Sequence, residues 1–256
     1  MNMETIIIDF TGVYREQNFH EDIPCRWLDF THLDGTNCYC TPESEQAILD
    51  ETASCPVKSI RFLDSGNYHY VSKILMEKVK EPFDLLVFDN HTDMQESAFF
   101  GLLSCGSWVK EALKQNTWLR KVCIVGPLAK DCQKETETDR VTFVTREETL
   151  NGDMSVYREF LRESTLPLYI SVDKDVLDKK DAATNWDQGQ LRLETLKQWI
   201  LEAVEARGCT GVDICGENVA DGGMFNWDEL RCNESTNKEL LLLFRDVMEE
   251  YHKTAQ

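Results

Sequence analysis

The sequence is short of basic residues, has few histidines and contains no long apolar run, and each shortage removes a class of function. Lysine and arginine number 27 against 46 aspartates and glutamates, giving a formal net charge of −19 over 256 residues. Phosphate binding needs a basic surface and the release of its counterions, so a nucleic-acid partner is not expected. The same balance is compatible with a cationic ligand. No stretch approaches the ~20 apolar residues of a bilayer-spanning helix, and the opening MNMETIIIDF has no basic leader and reads as a first strand. A cytoplasmic protein with no membrane partner is therefore expected. The 10 cysteines are scattered rather than paired. Cys38 and Cys40 have C-x-C spacing with no second pair to complete a zinc site. Cys123 and Cys215 lie inside apolar runs, where a thiol packs as a small hydrophobe. A reducing compartment accounts for them better than a disulfide scaffold.

What is present is enough apolar residue for a core, 42% of the chain with 10% aromatic, arranged as strands alternating with helices. Apolar runs bounded by Asp, Gly or Pro fall at 6–10, 60–63, 85–89, 122–125, 141–144, 168–173 and 212–215. They lack alternation, as strands buried on both faces do. Between them, Tyr70, Val71, Ile74, Leu75 and Val79 mark one helical face, and Leu191, Leu193, Leu196, Trp199, Ile200 and Val204 another. A closing helix reads from about 238 to 251. Repeated strand–helix–strand order predicts an α/β fold, three-layer α-β-α with a mainly parallel central sheet. No linker, repeat or low-complexity tract divides it, so residues 1–256 are expected to form a single domain. The stretch 18–56 is less regular, with a helix start at Pro42 to Glu45. A loop at 179–190 follows a strand end, where binding walls often form.

The strongest signal is the run LLVFDNHTD at 85–93. If the backbone stays extended there, Asp89, His91 and Asp93 project to one side beyond the carboxyl end of a strand, where ligands of open α/β sheets bind. A second run, LYISVDKD at 168–175, ends in Asp173 and Asp175. Like charges two residues apart on one face repel unless a cation absorbs them. Only five histidines are available, and the segment Gly66-Asn67-Tyr68-His69 follows the strand run IRFLDS directly, which puts His69 at a strand-to-helix turn on the same edge. Four carboxylates carry four negative charges, which two divalent cations cancel. Oxygen-rich ligation with two imidazoles suits Mn²⁺, with Zn²⁺, Co²⁺ or Fe²⁺ also admitted; Mg²⁺ and Ca²⁺ prefer all-oxygen sets.

These blocks, GNYHY at 66–70, DNHTD at 89–93 and SVDKDVLD at 171–178, resemble those of the arginase, agmatinase and formiminoglutamase (ureohydrolase) superfamily, as a divergent member. The resemblance implies an arginase-like fold and a binuclear centre of two Mn²⁺. His69, Asp89, Asp93 and Asp173 would hold one ion, and His91, Asp89, Asp173 and Asp175 the other, with Asp89 and Asp173 shared. It implies metal-activated hydroxide attack on a guanidino carbon, releasing urea and an amine from a small cationic guanidino or amine-bearing substrate. Asp93 would then also accept and return a proton, and homo-oligomers are common in the family. Two positions depart from the family pattern. Cys105, before Gly106, stands where a proton-relaying histidine is usual, so it either takes over that relay or marks its absence. Glu217 lies one residue beyond the family's guanidinium-binding glutamate. Gln95, Asp131 and Trp186 are weaker matches to substrate-contacting positions. The alternatives are a deacetylase-like amide hydrolase and a noncatalytic metal-binding relative.

Overall fold

Unbroken Val, Ile, Leu and Phe runs cannot face water on either side, and they collect in one sheet. The computed structural model describes residues 3–97, 101–136, 138–219 and 225–254. Its strands are β1 (Glu4–Asp9), β2 (Cys25–Asp29), β3 (Tyr39–Cys40), β4 (Ser59–Phe62) and β5 (Phe83–Phe88), then β6 (Leu103–Ser104), β7 (Leu119–Val125), β8 (Val141–Val144), β9 (Leu168–Asp173) and β10 (Cys209–Cys215). Eight of them form a sheet in the order β2-β1-β4-β10-β9-β5-β7-β8, with every neighbouring pair parallel. The two-residue β3 and β6 pair antiparallel beside it.

The helices are α1 (Pro42–Thr52), α2 (Val71–Met76), α3 (Trp108–Gln115), α4 (Ala129–Cys132), α5 (Arg146–Asn151), α6 (Ser155–Arg162), α7 (Leu193–Arg207) and α8 (Trp227–Thr254). Alternation along β5 shows how they cover the sheet. Leu86 and Phe88 join a core with residues of α6, α7 and α8, while Leu85 and Val87 join a second core with residues of α1, α2 and α3. The result is the expected three-layer α-β-α fold around a parallel sheet.

All seven apolar runs form strands, and α1 begins at Pro42 with Thr41 capping Ser44 N–H. Two expectations need correction. The stretch 18–56 contains β2, an edge strand whose half-exposed CRWLD carries Arg26 and Asp29 and so lacks the buried signature. The last helix begins at Trp227, well before 238, because Leu230 and Thr236 are also buried on its first turns. Among the described residues, no helix is long and apolar enough to cross a membrane.

Candidate metal centre

Strand pairing sets the floor of the site. In β9 and β5, Val172 pairs with Phe88, so Asp89, the next residue, lies beside Asp173. On the other flank Cys215 pairs directly with Asp173. Three adjacent carboxyl ends thus present Cys215, Asp173 and Asp89 in a row, at the edge of the sheet where α/β ligands bind. His69 arrives from the strand beyond, after β4 and a 3-10 turn at Gly66–Tyr68. That turn comes so close that a Cβ at Gly66 would sit 2.8 Å from Asp173 Oδ2.

The loops after β5 and β9 do not stay extended, and the expectation of simple alternation is corrected here. His91 N–H donates to Asp89 Oδ1 at 2.6 Å and Asn90 N–H to Asp175 Oδ1 at 3.0 Å, bending the chain at once. Asp93 then takes a left-handed φ of 50°, which short polar residues tolerate best. After β9 the chain forms a 3-10 turn, Lys174–Val176, with Asp175 N–H donating to Asp173 Oδ1 at 2.9 Å. The bends, rather than the pleat, turn Asp93 and Asp175 back over the row.

Six side chains converge in consequence. His69 Nδ1 lies 3.1 Å from both Asp89 Oδ2 and Asp93 Oδ2 and 3.7 Å from Asp173 Oδ2. His91 Nδ1 lies 2.9 Å from Asp175 Oδ2 and 3.4 Å from Asp89 Oδ1. Asp89 therefore offers one oxygen to each imidazole. His69 Nε2 is engaged by Ser171 Oγ at 2.8 Å, which leaves Nδ1 facing the carboxylates, and Nδ1 has no hydrogen bond despite those short distances. Trp108 Nε1 donates to Asp93 Oδ2 at 2.5 Å. Cys215 Sγ donates to Asp173 Oδ2 at 3.2 Å.

The electrostatics are those of crowded, buried anions. Burial first, and then the charge of Asp89, push Asp93 up to about 7. Burial and neighbouring carboxylates raise Asp173 and Asp175 in the same way. Burial also opposes ionised Asp89, but its close approach to the His69 and His91 imidazoles outweighs this and holds it below the usual carboxylate range. Burial disfavours charge on His91 too, yet Asp175 and Asp89 bring it up to about 12.

Above this floor is a pocket of about 280 Å³ lined by Cys38, Tyr39, Gln95, Ser104, Cys105, Gly106 and Trp186. Cys105 is on this rim, opposite Cys38: its N–H donates to Cys38 O at 3.0 Å. The hydrogen bond between the two thiols brings Cys38 down to about 7 and pushes Cys105 up. Trp186 walls the pocket, its ring edge-on to His91 at 5.8 Å and its Nε1 donating to Asn67 Oδ1 at 2.7 Å. Gln95 is also on the rim. Asp131 lines a neighbouring cavity and is paired with Lys134 at 2.6 Å.

Glu217, one residue beyond the family's guanidinium-binding position, is placed away from the pocket. It is fully buried beneath the floor, ion-paired with Lys174 and hydrogen-bonded by Gln17, Asn233 and Asn237. Gly216 occupies the place beside the floor instead: at φ 93°, a Cβ there would meet Asp173 Oδ1 at 2.5 Å. Sequence reasoning also missed Trp108, Ser171 and Lys174. Of these only Lys174, between two aspartates of one block, carried a visible signal.

A model of the arginase family matches residues 68–214. An uncharacterized protein of Thermotoga maritima is 34% identical over 211 residues, 82% of this chain and 78% of that one. Agmatine ureohydrolase of Thermoplasma volcanium superposes with a TM-score of 0.69 at 17% identity, covering 99% of this chain and 92% of that chain. Arginase from Bacillus caldovelox gives 0.67 at 16% identity, covering 97% and 98%. At such identities these structures are likenesses of fold.

Proposed function

Because the chain belongs to the arginase family of hydrolases, we propose that it is a binuclear-metal hydrolase cleaving a linear C–N bond of a small cationic guanidino compound to urea and an amine. The observation that carries this reading is His69 Nδ1, buried, without a hydrogen bond and facing three carboxylates. Where Nε2 donates to Ser171 Oγ, Nδ1 aims a lone pair at anionic oxygens, which is repulsive unless a cation lies between them. Two imidazolium ions would neutralise only half of the four carboxylates, whereas two divalent ions neutralise all four. Asp89 and Asp173 are the shared ligands in this reading. His69 and Asp93 complete one set, and His91 and Asp175 the other. Oxygen-rich donors with imidazole admit Mn²⁺, Zn²⁺, Co²⁺ or Fe²⁺.

Such ions would lower the pKa of a water at the pocket floor to near neutrality. Asp93, oriented by Trp108, takes the proton given up as the C–O bond forms and returns it to the nitrogen as the C–N bond breaks. The Trp186 ring, on the pocket wall, offers a face on which a planar cation stacks. Recognition differs from a glutamate-based guanidinium clamp, since Glu217 is paired with Lys174 below the floor. That observation also favours a second reading, in which the electrophile is an amide-type carbonyl.

Metal analysis of protein purified without chelator, with a urea assay over a panel of guanidino compounds, tests the proposal. About two ions per chain with urea release supports it. One zinc with release of a carboxylic acid supports the amide reading, and bound metal without turnover on either class points to a noncatalytic relative. Light scattering on the same sample tests assembly into a homo-oligomer.

A further inference from the structure

The row of three strand ends contains two carboxylates and a thiol, and the thiol has no place in the ligand sets just described. Cys215 closes β10 opposite Asp173 and is 1% exposed. Its Sγ lies 3.2 Å from Asp173 Oδ2, and sulfur, a carboxylate oxygen of Asp173 and a ring nitrogen of His69 are all within 4.8 Å of one another. Cys123, buried in a strand of the same sheet, belongs to one apolar core, whereas Cys215 belongs to the other and also reaches a carboxylate. The next residue, Gly216, leaves room for Asp173 and Lys174, since any side chain there would collide with them.

We propose that Cys215 is a sulfur donor to the ion held by His69, Asp89, Asp93 and Asp173, and that it makes this position prefer Zn²⁺, Co²⁺ or Fe²⁺ over Mn²⁺. The inference rests on the metal reading above. A thiol that binds a divalent ion gives up its proton to solvent as the sulfur–metal bond forms. Asp173 Oδ2, relieved of the S–H hydrogen bond, is then free to coordinate. Thiolate is soft and selects borderline and soft ions, while carboxylate and water suit harder ones. The candidate group of the other position, Asp89, His91 and Asp175, contains no thiol. The two positions thus differ in softness, and the centre is built for two unlike affinities.

The test uses the full chain, stripped by chelator under anaerobic reducing conditions and reloaded with Co²⁺. A sulfur-to-cobalt charge-transfer band in the near ultraviolet is expected. It should be lost in Cys215→Ser and kept in Cys38→Ser and Cys105→Ser. Competition of Zn²⁺ with Mn²⁺ should show the preference for zinc reduced by about tenfold or more in Cys215→Ser. If that variant does not fold, zinc-edge X-ray absorption of the unmodified protein should show a sulfur neighbour at about 2.3 Å. Bound Co²⁺ without the band, a band that survives Cys215→Ser, or a shell of nitrogen and oxygen alone overturns the role of Cys215 while leaving the binuclear reading intact. Failure to bind Co²⁺ at all overturns both.

Discussion

The floor of the pocket and its rim are built on opposite principles. On the floor, His69, Asp89, Asp93, Asp173 and Asp175 are buried, and they are held by one another, by Ser171, by Trp108 or by backbone N–H groups. Among the described residues, the rim has no charged side chain of its own: Cys38, Tyr39, Gln95, Cys105 and Trp186 supply thiols, ring faces and an amide. On the metal reading, the family pattern is retained where side chains would hold ions and replaced where they would meet a substrate. The comparison teaches that chemistry and selectivity in this fold are separable, the first fixed by strand ends and the second by loops.

The comparison breaks if floor and rim respond alike to substitution. Asp89→Asn should have the largest effect, because one residue serves both ion positions. Loss of a partner behind a single ligand typically costs about 10–100-fold in metal affinity or activity, so loss of a shared ligand is expected to exceed about 10³-fold. Metal content and turnover measured together check this, and near-normal values would remove Asp89 from the centre. Glu217→Ala should cost about 3–5 kcal/mol of stability, since it strands the buried Lys174 ammonium. Denaturant unfolding measures it. An unchanged midpoint with a raised KM would instead return Glu217 to the substrate.

A smaller effect concerns protons. Asp93 keeps its proton up to about 7 in the folded chain without ions, whereas an unfolded aspartate releases it near 3.9. The folded state therefore binds more protons between those values, and stability falls as pH rises through that window. Thermal unfolding of chelated protein from about pH 4 to about pH 7 should show this loss, with divalent ions restoring more at the upper end. A rising melting temperature under chelation would contradict it. The smallest effect is expected at the rim, where Cys105→Ser should alter turnover by no more than a few-fold. Complete loss would make Cys105 part of the proton relay.

The central sheet was legible because β5 and β9 are buried on both faces and cannot be anything but apolar. The edge strand β2 was not, since one side faces water and Arg26 and Asp29 break the run. The Asp-rich blocks could be read as a cluster, but their geometry could not. The bends depend on Asn90 reaching Asp175 across 85 residues and on the φ of Asp93. The one-residue offset of Glu217 was visible in the sequence, and at a strand end such an offset decides which side of the sheet a side chain takes. The thiol pair of Cys38 and Cys105 arises from two-residue strands far apart in sequence, too short to leave any periodicity.

The cluster beneath the floor ties assembly to function. Lys174, between Asp173 and Asp175, is anchored by Glu217 and by Asn237 of the final helix, and Asn237 in turn donates to Gln17 near the other end of the chain. The first and last portions of the polypeptide thus meet directly under the turn that carries two of the candidate ligands. Until α8 docks, Lys174 has no complete set of partners and that turn has no foundation. A ribosome-bound chain lacking its last helix would hold the carboxylates in the right order but not in place. On the metal reading, ion binding would then have to follow the docking of α8, because the turn that carries Asp173 and Asp175 rests on that contact.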